Sequence, residues 1–220
     1  PRPGEITLAH RGVLFLDEMP EFSRRSLEIL RQPLEDKVIR ISRVYGTYDF
    51  PADFMLCAAM NPCPCGHYPD MNRCRCTPAQ VMQYLGRISQ PLLDRLDLCA
   101  EVSPVDFEGL SSGRKGESTQ TIRERVICAQ DIQRERYKIE GIQFNGELSG
   151  AQIEKYCKME KDARQLLKMA FQNMPFSARA YHRILKVART IADMEATESI
   201  HRHHIAEALS YRAFDKKYWN

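Results

Sequence analysis

Residues 13–18 read Val-Leu-Phe-Leu-Asp-Glu, four consecutive apolar side chains ending in two acids. No other feature restricts the fold as tightly. An apolar run of this length with no turn residue inside it is the pattern of a strand buried on both faces of a parallel sheet. A second run, Phe54-Met55-Leu56-Cys57-Ala58-Ala59-Met60, has the same character and ends in Asn61-Pro62. Between the two, a helical stretch from Ser23 to Asp36 puts Leu27, Leu30 and Leu34 on one side, and Pro33 is expected to kink or end it. Val38 to Val44, Gly46 as a turn signal, then Tyr48 and Phe50 predict a β-hairpin over residues 38–50. Strands alternating with helices place the first half in the α/β class.

The second half has another pattern. Between Phe107 and Ser118 the chain becomes rich in glycine and serine, as a linker does. Helical periodicity follows over 120–138, 150–157 and 160–173. Ser177 then caps a helix running to about Glu195, whose buried face carries Tyr181, Ile184, Leu185, Ala188, Ile191 and Ala192, and a last helix covers 200–213. The expected organisation is an α/β domain over 1–108, a linker over 109–119 and an all-helical domain over 120–220.

Composition excludes several classes. With 43% hydrophobic and 28% charged residues the 220-residue chain is ordinary globular material, neither collagen-like nor low-complexity nor wholly disordered. No apolar run nears the ~20 residues a bilayer-crossing helix needs, so no membrane role is expected. The chain opens at Pro1-Arg2-Pro3-Gly4 with neither methionine nor signal peptide, which reads as a fragment. Net charge is +3 overall; the acids prevail before residue 109 and the bases after it. A basic second half permits a polyanionic partner such as nucleic acid, and is equally what solvated helix faces would show. The 8 cysteines do not form a secreted disulfide framework, because four crowd into residues 63–76. Cys57, Cys99, Cys128 and Cys157 sit in apolar or helical surroundings and are expected as buried thiols of a reducing cytoplasm.

Three short segments could carry chemistry. Parallel α/β sheets bind ligands at the carboxyl ends of their strands, so Asp17 and Glu18 would face a crevice. There one carboxylate can hold Mg²⁺ while its neighbour orients or deprotonates a water; otherwise both are merely solvated. Asn61 at the end of the second strand can hydrogen-bond a water or a terminal phosphate, or simply form the turn. In Leu92-Leu93-Asp94-Arg95-Leu96-Asp97-Leu98, Arg95 is either a surface ion-pair partner or a guanidinium presented to phosphate. Separately, Cys63, Cys65, Cys74 and Cys76 form C-x-C-x8-C-x-C. Four thiols this close can close a tetrahedral Zn²⁺ site of structural type, although C-x-x-C spacing is commoner; a reduced or partly oxidised cysteine loop is the alternative. His67 is a possible substitute ligand or a loop residue.

Gly12–Glu18, Ala59–Pro62 and Pro91–Asp97 in this order closely resemble the AAA+ ATPases of the magnesium-chelatase-like family, nearest its competence-related ComM/YifB-like branch. Gly4–His10, Arg31–Asp36 and Ser177–Arg183 extend the resemblance across nearly the whole chain. It implies a partial P-loop-type parallel-sheet core followed by a helical lid, with ATP and Mg²⁺ as cofactors. Asp17 and Glu18 then correspond to the Walker B pair, Asp17 on the Mg²⁺ shell and Glu18 activating water. Asn61 corresponds to sensor 1, Arg95 to the arginine finger reaching a neighbouring subunit's ATP, and Arg179 to sensor 2, with Arg87 as a second finger candidate. A cation in the first turn of a helix is disfavoured unless an anion is also present, which suits Arg179 to phosphate. The hairpin resembles the pre-sensor-1 hairpin of chelatase-like ATPases and minichromosome-maintenance helicases, so Arg40 and Arg43 could meet DNA in a ring's pore. The alternative is a hairpin edge protected by charge.

The resemblance also implies a self-assembled ring, hexameric when complete, acting on DNA. A chelatase subunit driving metal insertion and a zinc-stapled, non-enzymatic interaction domain are the alternatives. One element is missing: no G-x-x-x-x-G-K-[ST] occurs, and Gly113-Arg114-Lys115-Gly116 has the wrong spacing. The phosphate loop is expected upstream of this segment, and the segment alone is expected to be inactive towards ATP.

Overall fold

The computed structural model describes residues 2–103, 107, 111, 116–174 and 176–212. The linker expected over 109–119, Gly113-Arg114-Lys115 within it and the end of the last helix beyond residue 212 lie largely or wholly outside the described residues. The chain divides into two compact units at Leu96/Asp97, ahead of the change in composition. Both expected architectures are present: a small parallel-sheet core with helices, then a helical unit.

In the first unit β1 (Val13–Leu16) pairs in parallel with β4 (Met55–Ala58), from Val13 against Met55 to Leu16 against Ala58. Leu14 and Leu16 point to a core of Met19, Leu27, Leu30, Ile88, Leu92 and Leu93. The other face is open, which corrects the expectation of two strands buried on both sides: Val13 and Phe15 are 57% and 58% exposed, and Met55 is 67% exposed. The pleat sends alternate side chains to opposite faces, and among the described residues only one face of this two-stranded ladder packs against the core.

The expected helix over 23–36 is two helices, α2 (Arg24–Ile29) and α3 (Arg31–Asp36), after the short α1 (Glu5–Leu8). The break falls at Leu30 rather than at Pro33. Proline has no N–H for the carbonyl four residues back, and its ring crowds that carbonyl; here that is Ile29, the last residue of α2. Pro33 thus sits in the first turn of the following helix, where it is tolerated. The hairpin forms as expected, β2 (Val38–Arg43) antiparallel to β3 (Gly46–Pro51), leaving Val44 and Tyr45 at the tip 95% and 96% exposed. Two further short helices, α4 (Pro78–Leu85) and α5 (Gln90–Leu93), complete this unit; a Thr77 cap with Gln80 closes the start of α4.

The second unit contains α6 (Thr119–Tyr137), α7 (Gly150–Tyr156), α8 (Lys161–Asn173), α9 (Ala178–Met194) and α10 (Arg202–Ser210). Ser177 caps α9 by accepting the Ala180 amide at 3.2 Å. Ile184, Leu185, Ala188 and Ala192 of α9 are buried among Tyr137, Ile153, Leu167 and Ile205. Only part of the cysteine expectation holds: Cys157 is buried, whereas Cys57 and Cys128 are exposed and Cys99 is half-buried. Cys57 sits on the exposed β4 and Cys128 is exposed on α6; apolar sequence neighbours do not reveal which face a residue takes. Among the described residues no helix is long and apolar enough to cross a membrane.

Candidate nucleotide site and cysteine cluster

Parallel pairing of neighbouring strands brings Asp17, Glu18 and Asn61 to the same edge of the sheet. Beyond the ladder the two chains stay joined, since Ala59 donates its amide to Leu16 O at 2.9 Å and Met19 donates to Ala59 O at 3.0 Å. Both acids and Asn61 are exposed, while Met19, directly after Glu18, is buried. Glu18 itself is left-handed, with φ of 48°. A side chain with a Cβ pays roughly 1–2 kcal/mol for that conformation, and such residues gather at functional sites. Glu18 donates its amide to Asp17 Oδ1 at 3.0 Å, so the turn orients its own carboxylate. Asn61 lies over Gly66, whose position would bring a Cβ 3.8 Å from Asn61 Oδ1.

The arginines are placed differently from one another. Arg87 meets the acidic turn: its guanidinium donates to Pro20 O at 2.8 Å and pairs with Glu21 at 3.0 Å. Arg95 faces inward, with its side chain 8% exposed. Its guanidinium donates to Arg31 O at 3.0 Å and Pro91 O at 2.6 Å and pairs with Glu35. A role across a subunit boundary therefore requires release from α3. Arg179 is exposed in the first turn of α9. On the hairpin, Arg40 is held by Asp49 through two bonds of 2.8 and 2.9 Å, whereas Arg43 lies exposed beside the tip.

The four clustered cysteines converge. Their sulfurs lie within 4.8 Å of one another, with Cys63 to Cys65 at 3.4 Å, Cys63 to Cys74 at 3.8 Å and Cys65 to Cys74 at 3.6 Å. Thiolates bound to one tetrahedral zinc at ~2.3 Å stand about 3.8 Å apart, so the donor set and its spacing fit that ion. Tyr68 donates its amide to Cys63 at 3.4 Å. Amides of Arg75 and His67 hold Cys65 down at about 6, while burial and the neighbouring sulfurs push Cys76 up to about 12. His67 thus contributes its backbone and no ring nitrogen to the cluster.

A second group, Glu195, His203 and His204, also converges, but its bonding argues against a metal. The His201 amide donates to His204 Nδ1 at 2.9 Å. That leaves the neutral ring's proton on Nε2, which donates to Glu195 Oε2 at 2.9 Å. The lone pair on Nδ1 is taken by that amide, and a protonated Nε2 has none to offer a metal.

Two features lie outside the segments that the sequence pattern marks for chemistry. Tyr84 of α4 is buried, and burial followed by the charges of Glu21 and Glu18 pushes its phenol above the ordinary value. In the helical unit, Arg189 and Asp193 are fully buried and paired. Asp193 also accepts from Arg136 at 2.9 Å and from Asn145 at 2.8 Å, and Asn145 accepts the Tyr137 hydroxyl at 2.6 Å. The i,i+4 spacing of Arg189 and Asp193 was the available clue.

A small parallel-sheet α/β core followed by a helical unit defines the class, and sequence comparison gives the family. The magnesium chelatase, subunit ChlI profile matches residues 1–110, and the magnesium chelatase, subunit ChlI C-terminal profile matches residues 116–212. The chain belongs to the magnesium-chelatase-like family. Over 218 residues it is 48% identical to the uncharacterized protein YifB of Salmonella typhimurium, covering 98% of this chain and 42% of that protein. It is 48% identical over 214 residues to the competence protein ComM of Haemophilus influenzae, covering 97% and 41%. With the uncharacterized protein Rv2897c of Mycobacterium tuberculosis it shares 40% over 211 residues, covering 96% and 42%. These relatives support the ComM/YifB-like branch, and the chain spans about two fifths of their length.

Proposed function

We propose that this chain is the distal part of an ATP-hydrolysing AAA+ module. The observation that carries the reading is the shared sheet edge, where Asp17, a left-handed Glu18 and Asn61 follow the ends of two hydrogen-bonded parallel strands. Asp17 would hold Mg²⁺, which supplies charge neutralisation for the transferred phosphoryl group. Glu18 would orient and deprotonate the attacking water, and Asn61 would fix that water or the terminal phosphate. Arg179 would bind phosphate as sensor 2. Arg95, with Arg87 as the second candidate, would serve a neighbouring subunit of a ring homo-oligomer, a hexamer in the complete protein. A cytoplasmic setting follows from the same reading.

Similarity to the competence protein ComM of Haemophilus influenzae supports DNA as the substrate of that ring. On the hairpin, Arg43 is better suited to a phosphate than Arg40, which Asp49 already neutralises. A structural Zn²⁺ in the Cys63, Cys65, Cys74 and Cys76 cluster completes the cofactor set.

The decisive experiment is Glu18→Gln in the longer protein that would carry the phosphate loop. It should still bind ATP while turnover falls by on the order of 10²-fold or more, as loss of a positioned base does. Unchanged turnover would end the assignment. The 220-residue chain alone should show no turnover above background.

A further inference from the structure

We infer that the four-cysteine cluster is a clamp on the acidic turn and Asn61, so that its metal governs the order of the candidate nucleotide site and not only of its own loop. The inference rests on the zinc reading of the cluster and does not require the nucleotide reading. Between Ala59 and Thr77 no residue is in a helix or strand, and the segment's own backbone bonds are short-range turns such as Gly66 to Cys63 O at 3.0 Å and Cys74 to Asp70 O at 2.8 Å. A loop this long without regular structure is uncommon inside a compact unit, and a cross-link is one way to order it. The sulfurs supply four points of attachment at two ends, Cys63 with Cys65 and Cys74 with Cys76.

Two physical routes lead from the clamp to the acids. The first runs through Met60, which packs both against the small core of Cys63, Val81, Tyr84 and Leu85 and against the core containing Met19. Met60 precedes Asn61, and Met19 follows Glu18, so one side chain joins the metal loop to both halves of the site. Gly66 in the first cysteine turn also lies against the Asn61 amide. The second route runs through α4. Tyr84 shares the small buried core with Cys63, the Arg87 guanidinium stands 6.0 Å from the Tyr84 ring centre, and Arg87 ties down Pro20 and Glu21. A core of four buried side chains is too small to hold these groups unaided, and small scaffolds of that kind depend on staples such as structural zinc.

Two amides report the junction: Met19 N–H on Ala59 O and Ala59 N–H on Leu16 O. The test measures their hydrogen exchange in the reduced chain, with zinc quantified by elemental analysis. About one zinc per chain is expected, and cobalt substitution should give intense thiolate-to-metal charge-transfer absorption. On chelation, exchange at Met19 and Ala59 should rise by on the order of tenfold or more and return when Zn²⁺ is restored, while buried amides of α9 stay unchanged. Cys76→Ser should mimic chelation. Met60→Ala, which keeps all four thiols, should retain zinc yet pass less of the chelation effect to Met19. Faster exchange confined to residues 63–77, with Met19 and Ala59 still protected, would overturn the clamp. A chain that neither holds zinc nor develops the cobalt band would remove the zinc reading and the clamp with it. No readout involves ATP, so either failure leaves the nucleotide proposal to its own test.

Discussion

The two units hold their polar groups in opposite ways. In the sheet unit the groups singled out for chemistry, Asp17, Glu18 and Asn61, are exposed at strand ends. They stand on a strained turn and beside a loop with no regular structure. In the helical unit the polar groups that matter most are hidden: Arg189 and Asp193 are fully buried, and Arg136, Asn145, Tyr137 and Gln133 complete their bonding. The acidic turn leaves its carboxylates facing solvent, whereas the helical network spends its charges on its own architecture. Exposed polar groups stay solvated, whereas a buried charge network must be satisfied from within.

Breaking the hidden network should have the largest effect. Asp193→Ala leaves Arg189 buried without its carboxylate, which costs about 3–5 kcal/mol for such pairs. Urea denaturation followed by helix signal should show a loss of that size in the helical unit. A loss below about 1 kcal/mol would mean that the network is replaceable and the contrast between the units is overstated.

The exposed edge should behave in the opposite sense. Glu18→Gly relieves a left-handed φ of 48° and removes no buried contact. It is expected to stabilise the sheet unit by about 1 kcal/mol, read as a raised denaturation midpoint, while abolishing any activity that depends on the carboxylate. Destabilisation would show that the turn needs the Glu18 side chain structurally.

The smallest effect sharpens the comparison within the helical unit. Glu140 accepts from Lys155 at 2.6 Å, Tyr156 at 2.6 Å and Gln152 at 3.1 Å, and these partners hold its carboxyl down at about 2, below its ordinary 4.5. A carboxyl held down in the folded state contributes stability that is complete above pH 4.5 and is lost as pH falls towards 2. The melting temperature of Glu140→Gln should therefore fall below that of the unaltered chain at pH 6, and the gap should narrow between pH 4.5 and 2. A gap independent of pH would assign the effect to packing.

Particular residues show how far reading from the chain alone reaches. The strand at Val13–Leu16, the hairpin, the Ser177 cap and the convergence of four cysteines were all legible, because each depends on residues near one another in sequence. The break at Leu30 was misplaced by three residues, since proline acts on a carbonyl behind it. The open face of β1 and the inward turn of Arg95 onto α3 were not visible. Each depends on what lies across the fold.

Local chemistry along the chain determined which segments are strands and helices, which acids end a strand and which thiols are close enough to share an ion. Those choices follow from backbone sterics, side-chain period and short loop closure, all of which operate over a few residues. Tertiary structure alone decided which arginines are already neutralised, which face of the sheet is covered, and that Arg189 and Asp193 lie inside. Burial and pairing are properties of surroundings assembled from distant parts of the chain, and a charge is expensive or harmless according to those surroundings.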